Sequence, residues 1–285
     1  MGDGKRPGVS GAARLAGVMG WPVKHSRSPR LHGYWLNKYG IDGLYAPMAV
    51  SPERLETALR ALPALGFRGV NLTVPLKERA LRLVDEADDT ARRIGAVNTI
   101  IVDGDRLVGR NTDAFGFAEN LRCQAPQWRA DAGPALVVGA GGAARAVVAA
   151  LQDLGVSDVR VVNRTATRAA ALTHELGGIP WMWEERALAV EGVSLVVNTT
   201  TQGMAGSAPL DLPLDRLPAA AVVADIVYTP LITPLLAAAQ ARRHTIVDGL
   251  GMLIHQARPG FAAWFGVMPE ADADLRALLL ADLAA

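Results

Sequence analysis

Between the apolar run Ala135–Val138 and an alanine-rich helical stretch lies Gly139-Ala140-Gly141-Gly142-Ala143-Ala144, a G-x-G-x-x-A loop at a strand-to-helix turn. The first glycine permits the tight turn, and the second lets backbone N–H groups approach a pyrophosphate. Ala144 is small enough for close helix–strand packing at a positive helix end. Around this loop, short β-branched runs alternate with longer helical patterns from end to end. That alternation predicts βαβ units about a mostly parallel sheet, an α/β fold. Strands Ala135–Val138, Val159–Asn163, Leu195–Asn198, Ala221–Ile226 and Thr245–Val247 interleave with helices Ala143–Leu154, Ala166–Leu176 and Pro234–Arg242 to make one doubly wound unit.

The unit that comes first along the chain is also read as α/β. A strand at Arg14–Gly20 leads through Trp21–Ser28 into a helix opened by Pro29 and closed at Gly40. Strand Leu44–Val50, a helix from Ser51-Pro52 to Leu62 and strand Gly69–Val74 follow, with Pro75 stopping the strand before Lys77. Asn98–Val102 and Arg106–Arg110 flank Asp103-Gly104, a hairpin turn whose residues tolerate positive φ. A helix over Asp113–Arg122 runs into the Pro/Gly-containing stretch Gln124–Pro134, the expected boundary region. Helices near Met252–Phe265 and Ala271–Ala284 have no strand of their own and are expected to return to the first unit. The expected domains are therefore 1–112 with 249–285, and 113–248.

Composition removes several functions. With 29 Lys+Arg against 28 Asp+Glu the net charge is +1, which supplies no basic field for nucleic acid or an anionic membrane. Cys123 alone cannot form an intramolecular disulfide, and the five histidines have no Cys neighbours at metal spacing. Apolar runs are interrupted well before the ~20 residues a bilayer needs. Met1–Gly17 lacks a continuous apolar stretch of signal-peptide length and reads as a short flexible tail. A metal-free, cytoplasmic protein is expected.

NAD-preferring folds place an acidic residue ~20 residues beyond the glycines, at the end of the second strand. Here that place holds Asn163-Arg164-Thr165, with Arg168 one turn on. Two guanidinium groups and no carboxylate suit a 2′-phosphate, so NADP(H) is the expected cofactor. Both arginines also suit a solvated helix start.

Four polar clusters remain in the first unit. Val23-Lys24-His25-Ser26-Arg27-Ser28-Pro29 offers two hydroxyls before a helix, where a small anion can bind, although helix capping also accounts for one of them. Asn71-Leu72-Thr73-Val74-Pro75-Leu76-Lys77 puts Asn71 and Thr73 on one strand face with a lysine past its end. Gly95–Thr99 and Asn111-Thr112-Asp113 add amides and a carboxylate. Taken singly, each suits a structural role as well as a functional one.

Together these clusters resemble shikimate dehydrogenase over nearly the whole chain: HSRSP, NLTVPLK, GAVNT, NTD, GAGGAA, NRT, N-x-T-x-x-GM at Asn198–Met204, DIVYTPLITP at Asp225–Pro234 and DGLGMLIHQA at Asp248–Ala257, in the family's order. The resemblance implies an N-terminal substrate-binding and catalytic domain and a Rossmann-type NADP-binding domain. It further implies that the enzyme reversibly reduces 3-dehydroshikimate to shikimate with NADPH, in aromatic amino-acid biosynthesis. It implies Lys77 and Asp113 as the catalytic pair, and Ser26, Ser28, Thr73, Lys77, Asn98, Asp113 and Gln256 as substrate contacts, with Asn71 and Tyr228 added to that shell. It also implies cofactor contacts from Gly139, Ala140, Gly141, Gly142, Ala143, Asn163, Arg164, Thr165, Arg168 and Gly249, from the Val227 backbone, and from Asp89. A lysine ammonium supplies both proton and charge to the alkoxide that forms on ketone reduction, and a neighbouring carboxylate favours the ammonium. Arg110, Thr201 and Trp21 depart from residues frequent in the family and leave room for altered substrate preference. A quinate dehydrogenase is the nearest rival, and Arg164 argues against its NAD-using members. A methylene-tetrahydrofolate dehydrogenase-like enzyme fits the serine loop poorly, and a catalytically silent nucleotide sensor would not need Lys77 with Asp113. A homodimer is left open.

Overall fold

The computed structural model describes residues 9–283, so residues 1–8 of the expected N-terminal tail, with Lys5 and Arg6, and the expected helix end at Ala284 lie outside the described residues. The chain divides into two compact units, Met1–Thr112 with Ala257–Ala285, and Asp113–Gln256. The second crossing falls inside a helix, eight residues beyond the expected 248/249.

Unit 1 begins with β1 (Arg14–Gly20), α1 (Ser28–Lys38), β2 (Gly43–Ala49), α2 (Leu55–Ala61), β3 (Phe67–Leu72), α3 (Lys77–Leu81), β4 (Glu86–Ala87), α4 (Asp89–Ile94), β5 (Thr99–Asp103) and β6 (Arg106–Arg110). The strand order is β2-β1-β3-β5-β6-β4. β1 lies parallel to β2 and β3, whereas β5 runs antiparallel to β3 and β6 antiparallel to β5. That geometry brings the loops after β1, β3 and β6, and the residue before β5, to one end of the sheet. The hairpin turn sits one residue later than expected: Asp103 pairs with Arg106, so the central residues are Gly104-Asp105, and only Gly104 has positive φ, at 59°. α4 has both ends capped. The Asp88 carboxylate accepts from Ala91 N at 2.7 Å, and Gly95 closes the helix at φ 79°, a left-handed conformation that glycine adopts without a Cβ penalty.

Unit 2 comprises α5 (Asp113–Gln124), β7 (Ala135–Val138), α6 (Gly142–Asp153), β8 (Val159–Val162), α7 (Ala166–Leu176), β9 (Ile179–Trp181), α8 (Arg186–Ala189), β10 (Leu195–Asn198), β11 (Val222–Asp225), α9 (Pro234–Ala241), β12 (Thr245–Val247) and the start of α10 (Leu250–Phe265). α11 (Ala273–Leu283) belongs to unit 1. Every strand pairing in unit 2 is parallel, in the order β12-β11-β10-β7-β8-β9. All residues of β7, β10 and β11 are buried, which is why these strands read as unbroken apolar runs rather than alternating ones. The chain leaves β7 toward β8 and β9, then returns to β10 on the other side. The crevice outside the carboxyl ends of β7 and β10 is therefore the switch point at which a doubly wound sheet binds its ligand.

Candidate active site

In unit 1 the expected residues gather at the sheet end formed by the carboxyl ends of β1 and β3. Thr73 N donates to Met19 O at 3.0 Å and Trp21 N to Val74 O at 3.2 Å, tying the two loops together. Gly20 permits this approach, because a Cβ there would stand 2.4 Å from Thr73 Cγ2. Leu72 N donates to Asn98 O at 2.8 Å, which brings in the segment before β5. Lys77 opens α3, half-buried, with its carbonyl accepting from Val97 N at 3.0 Å. On the serine loop, Ser26 Oγ accepts from Ser28 N at 3.3 Å, and the Ser28 side chain is buried at the start of α1. Arg27 between them is paired with Asp282 of α11 at 2.5 Å, and Arg30 with the same carboxylate at 2.7 Å.

Buried amides reinforce this end. Asn71 Nδ2 donates to Asn98 O at 3.1 Å and Thr99 Oγ1 at 3.0 Å, while its Oδ1 accepts from Tyr45 Oη at 2.7 Å. Both amide protons of Asn71 are thus committed within the unit. Asn98 is likewise buried: its Nδ2 donates to Thr112 Oγ1 at 3.0 Å and its Oδ1 accepts from Thr112 N at 2.9 Å. Tyr45 was not anticipated from sequence. Burial pushes its hydroxyl well above the usual tyrosine range, and the His32 ring stacks on it with centroids 3.9 Å apart and planes 3° from parallel.

In unit 2 the cofactor segments lie at the carboxyl ends of the strands. Gly139 follows β7 with φ 115°, a conformation that disfavours any side chain, and a Cβ would stand 2.5 Å from Thr199 Oγ1. Gly141 and Gly142 are exposed, with nothing within 4 Å of where a Cβ would be, so their backbone faces open space at the start of α6. Asn163 Nδ2 donates to Thr165 O at 2.9 Å, shaping the turn after β8. Arg164 and Arg168 are exposed and have no ion pair among the described residues. An open glycine cradle at a helix start, no acid ending β8 and two exposed guanidinium groups fit the pyrophosphate and 2′-phosphate of NADP.

Asp113 is the first residue of α5 and is half-buried, Tyr228 follows β11, and Gln256 lies on α10. Gly249 is buried, and a Cβ there would stand 2.3 Å from Ile226 O and 2.6 Å from Val227 O. Asp89 is in unit 1, fully exposed in the first turn of α4 and paired with Arg92 at 3.1 Å. Sequence reasoning also passed over Asp225 and Thr233, although both stand in a quoted motif. Among the described residues no group of three His, Cys, Asp or Glu could hold a metal ion, and no helix is long and apolar enough to cross a membrane.

Comparison with known proteins gives consistent likenesses. Residues 18–100 match the family profile described as the shikimate dehydrogenase substrate binding domain, 126–202 that of shikimate / quinate 5-dehydrogenase, and 249–279 that of the shikimate 5′-dehydrogenase C-terminal domain. The chain is 62% identical to shikimate dehydrogenase (NADP(+)) of Paramagnetospirillum magneticum over 95% of this chain and 100% of that one. Among solved structures it resembles the shikimate 5-dehydrogenase of Thermus thermophilus in complex with NADP(H) and shikimate, with a TM-score of 0.85, 39% identity and coverage of 93% and 98%. It also resembles the quinate dehydrogenase of Corynebacterium glutamicum in complex with NAD, with a TM-score of 0.87, 30% identity and coverage of 94% and 99%.

Proposed function

The chain belongs to the shikimate dehydrogenase family and is an NADP-dependent oxidoreductase, and from that premise we propose how its residues reduce 3-dehydroshikimate to shikimate. Lys77 donates the proton that the developing alkoxide requires, with Asp113 as the second member of the catalytic pair. In the oxidation of shikimate, neutral Lys77 takes the hydroxyl proton. Ser26 and Ser28 take the ring carboxylate, Thr73, Asn98, Tyr228 and Gln256 contact the ring hydroxyls, and Asn71 shapes this end from behind. NADPH, when bound, supplies the hydride. Its pyrophosphate would be held by the backbone of Gly139–Ala143 and its 2′-phosphate by Arg164 and Arg168 beside Asn163 and Thr165, with the Val227 backbone and Gly249 as further contacts. Asp89, paired with Arg92 on the surface of α4, is a further contact that the family resemblance implies. A cytoplasmic location is supported by the biosynthetic reaction and by the single free Cys123.

The observation that carries this reading is the position of Lys77: it opens α3 at the sheet end where the serine loop, Thr73 and Asn98 are tied together. The test follows NADPH absorbance with 3-dehydroshikimate. Wild type consumes NADPH, and Lys77→Ala lowers kcat by roughly 10²–10⁴ with a smaller change in KM. Turnover of Lys77→Ala at the wild-type rate would exclude the role, and a preference for quinate over shikimate would move the enzyme to the rival substrate.

A further inference from the structure

Asp225, the last residue of β11, is 2% exposed and has no role in the chemistry described above. Asn198 Nδ2, at the end of β10, donates to both of its oxygens, at 3.0 and 3.1 Å. Val227 N donates to Oδ1 at 3.0 Å, and Thr233 Oγ1 to Oδ2 at 2.7 Å. One carboxylate therefore collects donors from the end of β10 and from two points of the segment that follows β11.

Each donor leads on to a cofactor segment. Asn198 holds the loop that follows it: its Oδ1 accepts from Thr200 N and Oγ1 at 3.0 and 2.8 Å, and its Nδ2 also donates to Gln202 O at 3.1 Å. Thr199 in that loop is the residue against which Gly139 packs, too closely for a Cβ. Val227 stands where the backbone of 226–227 meets Gly249, again with no room for a Cβ. Thr233 accepts from Leu236 N at 3.3 Å and so fixes the start of α9, which ends the segment begun at Ile226.

We propose that Asp225 is a positioning residue for NADP(H): its carboxylate sets the mutual placement of the loop after β10 and the segment after β11, and through them of Gly139, Val227 and Gly249. The inference rests on the reading of those three residues as cofactor contacts. An ionised carboxylate suits the task, because it is an acceptor on both oxygens and imposes no donor of its own. Burial pushes the Asp225 carboxyl above its ordinary range, and the donors from Val227, Asn198 and Thr233 offset only part of that rise. An amide in its place would turn an NH₂ group toward at least one of these donors. Hydrogen bonds to charged groups are the strong ones, and leaving a buried partner unmatched costs the desolvation of that partner.

The experiment is NADPH binding to the full-length protein, followed by nucleotide fluorescence, together with steady-state shikimate oxidation. Asp225→Asn should raise the NADPH Kd roughly tenfold, as expected for loss of hydrogen bonds to a buried charge, with the KM for shikimate near that of wild type. NADH should weaken by the same factor, since the 2′-phosphate residues follow β8 and are not held by Asp225. Val223→Ala in the same strand supplies a purely structural comparison: it removes buried apolar volume, lowering the melting temperature with Kd unchanged. Thr233→Val keeps shape while removing one donor, and serves if Asp225→Asn does not fold; its Kd should rise in the same direction by a smaller factor. Wild-type Kd in Asp225→Asn or Thr233→Val, or an equal rise in Val223→Ala, overturns the proposal. Failure of the wild type to oxidise shikimate with NADP would instead overturn the assignment of the cofactor residues.

Discussion

Gly116 lies on α5, three residues after Asp113, and its missing side chain lets α10 approach. A Cβ at this position would stand 2.5 Å from Gln256 Cβ, 2.8 Å from its N and 2.9 Å from its Cα. Carbon contacts settle near 3.5–4.0 Å, so Gly116→Ala must part the two helices by about 1 Å at this point, and no flexible side-chain end can yield instead. Two effects oppose each other in stability. Ala gains up to ~1 kcal/mol over Gly inside a helix, while overpacking costs ~1–3 kcal/mol, so the melting temperature falls by only a few degrees. Catalysis has no such offset. Asp113 and Gln256 move apart together, and a misplacement of about 1 Å is enough to lower kcat/KM by about 10²-fold. The assay is steady-state shikimate oxidation beside a thermal melt of the same preparation. A variant with wild-type kcat/KM for shikimate would refute the claim that this glycine contact positions the two residues.

Two further outcomes are expected. Arg164→Ala should lower kcat/KM for NADP by roughly ten- to a hundredfold, the worth of a charge-assisted hydrogen bond, and leave NAD unchanged, so that an equal loss with both nucleotides would refute the 2′-phosphate role. His32 is fully buried with neither ring nitrogen hydrogen-bonded, and burial holds its pKa near 3 against an ordinary 6.5. The unfolded chain takes up this proton below pH 6.5 and the folded chain does not until about pH 3, so His32 removes stability as pH falls through that window. Denaturant unfolding at pH 7 and pH 5 should show wild type losing about 2 kcal/mol more than His32→Phe, and parallel losses would exclude a neutral buried imidazole.

The elements that sequence located well are those whose apolar period is unambiguous. β1 matches its expected residues, and β7 and β10 match theirs, because each is flanked by glycine, proline or a polar turn. β9 was missed. Ile179-Pro180-Trp181 is short, half exposed and interrupted by proline, and it is tolerated only because an edge strand need not donate on both sides. α10 begins two residues before the expected Met252 and continues through Pro259, whose breaking signal is overridden by packing of its buried neighbours Ala257, Gly260 and Phe261. Candidate site residues could be proposed from sequence where a residue type names its chemistry, as at Lys77, the glycines and Arg164. Tyr45 and Asp225 were not legible, because each works through partners that become neighbours only when separate strands pair: Tyr45 reaches Asn71 across β1, and Asp225 meets Asn198 between β11 and β10.

Unit 1 is assembled from two stretches of chain that flank unit 2. On a ribosome this has an order built into it. Phe261 and Trp264, which close on the rings of Trp35, Tyr45 and His32, are translated after the whole of unit 2. Residues 113–256 are contiguous and can condense as soon as they emerge, while the earlier-made α1 and β2 wait with the rings of His32, Trp35 and Tyr45 uncovered. The nascent enzyme thus completes its nucleotide half before its substrate half. A stalled or truncated chain would expose this aromatic surface to chaperones, although residues 113–256 had already been made.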